Sequence, residues 1–289
     1  MMIQKIHLFS AVTLMLLLGA SPLLDAKRSS KKEEPAKLEL VCETDGIVPG
    51  EILNLGLHIR HEPGWHTYWK NPGDVGMPPK VEWTGLPEGM EPQPVIWAPP
   101  ELHKMGIIDV QSYHGEVLHI HPLLVPANLE PGKKVTLKGK LSWLMCSRKC
   151  IPAWQDVEIT LPVLKEAKSD PKWQKLFAKT REGQPVKLDW KLEARTVGDH
   201  IELKISPRVL PKGPQEREMW FFCNENHIST QELPRISHDK DSTILRLLKT
   251  EWAPAKIPRL TGHIYLKKGW DAEGKIHNLL VEIPLDKDS

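Results

Sequence analysis

The sequence carries almost no net charge: 39 Lys and Arg stand against 37 Asp and Glu, a formal balance of +2. A nucleic-acid partner therefore has no electrostatic footprint here. Phe and Tyr are scarce, at 4 and 3 against 11 Trp, and 26 Pro with 19 Gly leave little room for long helices in 289 residues. Short strands joined by proline-rich loops suit that composition. Beyond the N-terminus no apolar run is long enough to cross a bilayer as a helix, which excludes a polytopic membrane protein. A Walker or Rossmann glycine motif, a G-x-S-x-G elbow and an H-E-x-x-H pair are all missing, so nucleotide and hydrolase chemistry have no handle. What is present, 40% hydrophobic and 26% charged residues, is a globular composition long enough for one large or two modest cores.

The N-terminus sets the compartment. A short basic head, Met1 to Lys5, precedes the apolar run Ile6 to Ala20, and small residues follow at Ala20, Ser21 and Ala26. This pattern predicts a cleaved signal peptide over residues 1–26; Gly19, Ser21 and Pro22 interrupt the run too early for a membrane anchor. Lys27 to Ala36, a charged low-complexity stretch, then reads as a disordered leader.

From Leu38 onward, alternation with period two recurs between turns. Leu38 to Cys42, Leu53 to Ile59, Lys80 to Trp83, Val117 to Val125, Val135 to Met145 and Val157 to Val163 are predicted strands of a β-sandwich over residues 37–164. The aromatic, irregular stretch from His61 to Pro100 reads as ordered loops. A helical period replaces the alternation at Trp173, Leu176, Phe177 and Thr180, with Ser169 or Asp170 as cap, Pro171 in the first turn and an end near Gly183. Residues 165–184 are thus a helical connector. Alternation returns at Val186 to Leu192, Ile201 to Ile205, Met219 to Cys223, Ile244 to Leu248, Leu260 to Leu266 and Leu279 to Leu285, giving a second β domain over residues 185–289.

Four cysteines in an exported chain sit where disulfides persist. Cys42 and Cys223 are isolated, and Cys42 shares the core parity of its strand, which makes it a buried thiol. Cys146 and Cys150 are separated only by Ser147, Arg148 and Lys149, so a three-residue hairpin loop would set them opposite each other. Opposed Cα atoms in such a ladder lie about 4.5 to 5.5 Å apart, within disulfide range. A bridge across so short a loop stabilises little and strains the hairpin, which points to reactivity. Val135, Leu137, Leu141, Trp143 and Met145 share the core parity, and both cysteines fall on the opposite face, open to a partner unless a bulge intervenes. Arg148 and Lys149 would favour the thiolate. The competing reading is a structural hairpin staple.

Several spaced motifs, in order, carry a family resemblance. They are Pro63-Gly64-Trp65-His66-Thr67-Tyr68-Trp69-Lys70-Asn71-Pro72-Gly73-Asp74, Pro78-Pro79, Trp83, Leu86-Pro87-Glu88-Gly89, Tyr113 with Gly115-Glu116-Val117, and Trp143-Leu144 through Cys146 to Cys150-Ile151-Pro152. Together they resemble the periplasmic N-terminal region of DsbD/ScsB-type thiol:disulfide interchange proteins. The resemblance implies an all-β fold of two immunoglobulin-like β-sandwich domains joined by the short helix. It implies that Cys146 and Cys150 are the redox pair, with Cys150 forming mixed disulfides, and that the protein is a periplasmic thiol-disulfide oxidoreductase. Trp65, Tyr68, Trp69 and Tyr113 become candidates for an aromatic cover, with Glu116, Trp143, Arg148, Lys149 and Pro152 in support. The implied partners are periplasmic thiol-disulfide proteins and, because these 289 residues include neither the family's membrane domain nor its thioredoxin-like domain, a separate membrane electron donor. Phe221-Phe222-Cys223 departs from the family's Phe-Phe-Pro.

Such exchange needs no cofactor. Two alternatives come from other classes. His58, His61 and His66, with His119 and His121 at i, i+2 on one strand face, could bind copper, and relatives in the family are associated with copper tolerance. Spacing alone makes His119 and His121 a solvated face, and no structural zinc spacing is present. The other alternative is a non-catalytic protein-binding sandwich whose disulfide is structural.

Overall fold

The computed structural model describes residues 35–209 and 218–285; the expected signal peptide and nearly all of the leader lie outside them. The fold is all-β and immunoglobulin-like, with one short helix among the described residues. One sheet orders β1 (Ala36–Cys42), β2 (Ile52–His61), β8 (Glu116–Leu124) and β5 (Glu91–Pro92), and the sheet facing it orders β10 (Cys150–Pro162), β9 (Lys134–Cys146) and β4 (Lys80–Gly85). All these pairings are antiparallel. The alternation read from the sequence is what fills the space between them: Leu53 and Leu55 pack with Leu123, Leu137 and Leu161, and Leu57 and Ile59 with Leu141, Trp143 and Met145. Each such side chain contributes about 1.5–3 kcal/mol on burial, before chain entropy is subtracted. Cys42 is a free thiol within this core, as its parity predicts.

A third, smaller sheet is formed by β3 (Thr67–Tyr68), from the stretch expected to be loops, with β7 (Ile108–Tyr113) and β6 (Glu101–Met105), where no strand was expected. Farther along the chain, β11 (Lys191–Val197), β12 (His200–Ser206), β15 (Thr243–Leu248) and β14 (Arg235–His238) make one sheet, and β13 (Met219–Cys223), β16 (Arg259–Leu266) and β17 (Asn278–Pro284) make another. Ile201, Leu203, Ile205, Leu245 and Leu247 of the first pack on Phe221, Leu260, Ile264, Leu279 and Val281 of the second.

Three expectations shift. Ala36 is no part of a disordered leader: it pairs with His61 and is buried as the first residue of β1. The strand expected at Val186 to Leu192 starts at Lys191 instead. Val186 bridges to Leu279, so Leu188 and Trp190 reach the core from outside a ladder. Helix α1 (Gln174–Glu182) forms where the 3.6 period lies, but Asp170 does not cap it directly. Its carboxylate accepts from Lys172 N at 2.9 Å, while its carbonyl accepts from Trp173 N and Gln174 N at 3.1 Å. Trp173 and Phe177 pack on Val41, Leu118 and Ile120, and Thr180 Oγ1 donates to Leu118 O at 2.6 Å. The helix therefore covers the outer face of the β1–β2–β8 sheet as well as connecting two sets of strands. No helix among the described residues is long and apolar enough to cross a membrane.

Candidate functional site

The β9–β10 ladder runs without a register shift from Lys134↔Pro162 to Cys146↔Cys150, so the parity argument holds along its whole length. Ser147 N donates to Lys149 O at 3.0 Å and closes the turn. At its tip Cys146 and Cys150 form a disulfide with Cα atoms 4.2 Å apart. Both cysteines lie opposite the sandwich core, yet only Cys150 is exposed; Cys146 has no accessible surface. The cause is the third sheet. His66 and Cys146 exchange two backbone hydrogen bonds of 2.9 Å, which brings the chain around β3 over the end of β9. Tyr68, Val110, Leu144, Met105 and Ile108 then close around the Cys146 side chain. The expectation that the pair faces outward is thus corrected for Cys146: outward from the sandwich is inward beneath this cover.

Of the expected cover, Tyr68 is the residue that meets the disulfide. It is buried, its hydroxyl lies 3.3 Å from His66 Nε2 and donates to Met105 Sδ at 3.7 Å, and burial pushes its phenol up to about 12. Gly76, at φ 118°, makes room for the ring, since a Cβ there would lie 2.4 Å from it. Trp65 packs instead toward Met145 and Ile151 in the sandwich core, where Trp143 also lies. Trp69 and Tyr113 meet Trp220 and Phe222 from the later strands, away from Cys146. Tyr113 hydroxyl donates to Ala98 O at 2.6 Å. Arg148, Lys149 and Pro152 are exposed around Cys150. Glu116 serves His58, accepting at 2.8 Å, with Glu39 on the other ring nitrogen at 3.0 Å.

The five histidines expected as copper ligands do not converge. His61 is held by Gly115 O at 2.8 Å and Thr67 Oγ1 at 2.9 Å, and burial lowers it to about 4. His119 and His121 are buried rather than solvated, because the register sets them beside Leu57 and Leu55 on the inward face. His66 belongs to a different group, with His103 from β6 and His114 just after β7; the three rings lie 5.1, 5.4 and 4.4 Å apart, centroid to centroid. Desolvation first, then these two neighbours and His61, lower His66 to about 4. The sequence hides this group because its members meet only through the β6–β7 hairpin. A second convergence, Cys223 with Glu225 and His227, lies at the end of β13. There Cys223 is a free thiol that burial pushes up to about 12.

Residues 40–162 match the family model described as thiol:disulfide interchange protein DsbD, N-terminal. This segment is a DsbD-type N-terminal, thiol:disulfide interchange domain. No curated protein matches the sequence at a significant level. Among solved structures, the N-terminal periplasmic domain of ScsB from Proteus mirabilis is similar in fold, with a TM-score of 0.60 at 18% identity over 89% of this chain and 96% of that one. A protein of unknown function from Porphyromonas gingivalis W83 reaches only 0.22 at 13% identity, over 88% of this chain and 100% of that one. The CsuC-CsuE pilus pre-assembly complex of Acinetobacter baumannii reaches 0.23 at 12%, over the same shares.

Proposed function

We propose that Cys146 and Cys150 turn over as a dithiol/disulfide couple that passes electrons to thiol-disulfide proteins of the periplasm. The observation that carries this reading is the asymmetry of exposure within one disulfide. In the reduced state the Cys150 thiolate attacks a partner's disulfide, forming a mixed disulfide and expelling one partner thiolate, which takes up a proton. Cys146, held a few ångströms away beneath Tyr68, loses its proton and displaces the second partner sulfur. Two electrons leave with the partner, now a dithiol, and the 146–150 disulfide is restored. A separate dithiol protein, such as a membrane-embedded donor, returns the electrons by the reverse sequence. A staple would need neither cysteine at the surface.

The test is the reduction potential of the pair, by thiol trapping across dithiothreitol and glutathione buffers, with Cys42→Ala and Cys223→Ala removing the two buried thiols. A potential between about −120 and −270 mV, the range of exchange proteins, supports turnover. A potential below about −300 mV marks a structural staple and overturns it.

A further inference from the structure

We infer that His66, His103 and His114 form a binding site for a late first-row divalent transition ion of the zinc and copper class. Each residue offers one ring nitrogen, and these nitrogens lie within 4.8 Å of one another. That spread is close to what a single ion needs, since zinc–imidazole bonds of about 2.0–2.1 Å place two ligand nitrogens up to roughly 4 Å apart. A small rotation of the side chains closes the difference. Three imidazoles without a carboxylate suit zinc, copper or nickel and disfavour calcium or magnesium.

Two further observations point to a ligand. The His66 side chain is almost wholly buried, at 1% exposure, and its Nδ1 has no hydrogen-bond partner while Nε2 faces the Tyr68 hydroxyl. A buried ring nitrogen left unpaired is uncommon and costly, and a cation would satisfy it. On the other side, Glu101 Oε2 lies 3.6 Å from His114 Nδ1, which leaves Nε2 for an ion. A carboxylate behind a ligating imidazole is the usual way such a ring is oriented and made more basic. His103 and His114 are partly exposed, so an ion can enter from solvent. The ligands come from two segments, and the backbone of His66 is bridged to Cys146, so the ion would sit beside the disulfide without using its sulfurs.

The test is calorimetric titration of the disulfide-bonded protein with Zn²⁺ and with Cu²⁺, with Co²⁺ absorption reporting the ligand field. One ion per chain is expected, and His103→Ala and His114→Ala should each weaken binding by at least about tenfold. Glu101→Gln, which removes no ligand, should weaken it by roughly tenfold while leaving the fold intact by circular dichroism. His227→Ala, at the other convergence, should leave it unchanged. Absence of saturable binding overturns the site, as does binding that survives His103→Ala and His114→Ala together. Loss of binding in His227→Ala alone would assign the ion to Cys223, Glu225 and His227 and overturn it equally. None of these readouts uses thiol exchange, so the site stands or falls independently of the redox couple.

Discussion

Cys146 and Cys150 are bonded to each other with Cα atoms 4.2 Å apart, yet one is fully buried and the other lies in solvent. Exposure governs which thiolate a large electrophile can reach. After reduction, Cys150 should therefore alkylate with iodoacetamide at least about tenfold faster than Cys146, read by mass spectrometry of the quenched protein. Likewise Cys146→Ser should still accumulate mixed disulfides with a protein partner, whereas Cys150→Ser should not. Equal labelling of the two sulfurs would remove the basis for assigning them separate roles.

Tyr68 is the side chain whose loss should abolish that difference. Its ring packs on Cys146 within a cluster that also holds Val110 and, at its edge, Met105 and Leu144. In Tyr68→Ala the Cys146 thiol should label at a rate approaching that of Cys150. Removing a buried aromatic costs about 3–5 kcal/mol, so labelling must be compared with urea denaturation of the same variant. A stability loss with no change in labelling would make Tyr68 a packing residue only.

Much of the framework was legible because it rests on period-two patterns. Leu53 to Ile59 on β2 and Leu137 to Met145 on β9 announce their inward faces, and the three-residue loop places Cys146 opposite Cys150. Tyr68 was reached only through the family resemblance, and the small sheet that carries it over Cys146 was not legible, for a physical reason. Strand β7 alternates only over Ile108 to Gln111 and then buries Ser112 and Tyr113 side by side, with Asp109 and Gln111 buried as well, so its apolar pattern is too short to mark it. The histidine group was hidden by the same omission, since the β6–β7 hairpin is what carries His103 and His114 to His66. His119 and His121 misled because polarity suggested solvent, while the register with Leu57 and Leu55 turns them inward.

Trp154 offers a test of partner recognition separate from sulfur chemistry. It lies on β10, the edge strand of its sheet, with the same parity as Cys150 and Pro152, and it is 71% exposed. An exposed tryptophan beside an exposed sulfur is a ready contact for a protein substrate. Trp154→Ala should slow reduction of a thioredoxin-like partner by about tenfold, equivalent to about 1.4 kcal/mol, and leave the rate with dithiothreitol unchanged. Equal effects on both substrates would place the change at the disulfide itself.

Asn71 ties the early and late strands together. Its amide donates to Cys223 O and Glu225 O, each at 2.9 Å, and Asp74 nearby accepts from Ser229 Oγ at 3.0 Å and Thr230 Oγ1 at 2.9 Å. Asn71→Ala removes both of its hydrogen bonds from this junction, while Glu225 O keeps only the one from His227 N at 2.8 Å. The expected loss is about 1–3 kcal/mol in urea denaturation, while the midpoint potential of the Cys146–Cys150 pair stays at its original value. A shift in potential would show that this junction is coupled to the hairpin.

Buried neutral histidines set the response to acid. Desolvation lowers His121 to about 4 and His263 to about 3 and holds His119 well below its ordinary value; Lys70 adds to the effect at His263, and His121 and His61 at His119. Unfolded, all three titrate near 6.5. Between that value and the folded ones the unfolded chain binds more protons, so stability rises with pH there. Their contribution is fully present above about pH 6.5 and drains as the pH falls toward 4, with a slope of up to about 1.4 kcal/mol per pH unit for each. His263 stacks on Phe222, with ring centroids 4.9 Å apart, and its buried Nε2 has no hydrogen-bond partner, so phenylalanine can replace it without losing the stack. Urea denaturation at pH 7, 6 and 5 should show the native protein weakening across this window and His263→Phe weakening less, by one histidine's share of the slope. Identical acid limbs for the two proteins would mean that His263 takes up its proton in the folded state without penalty.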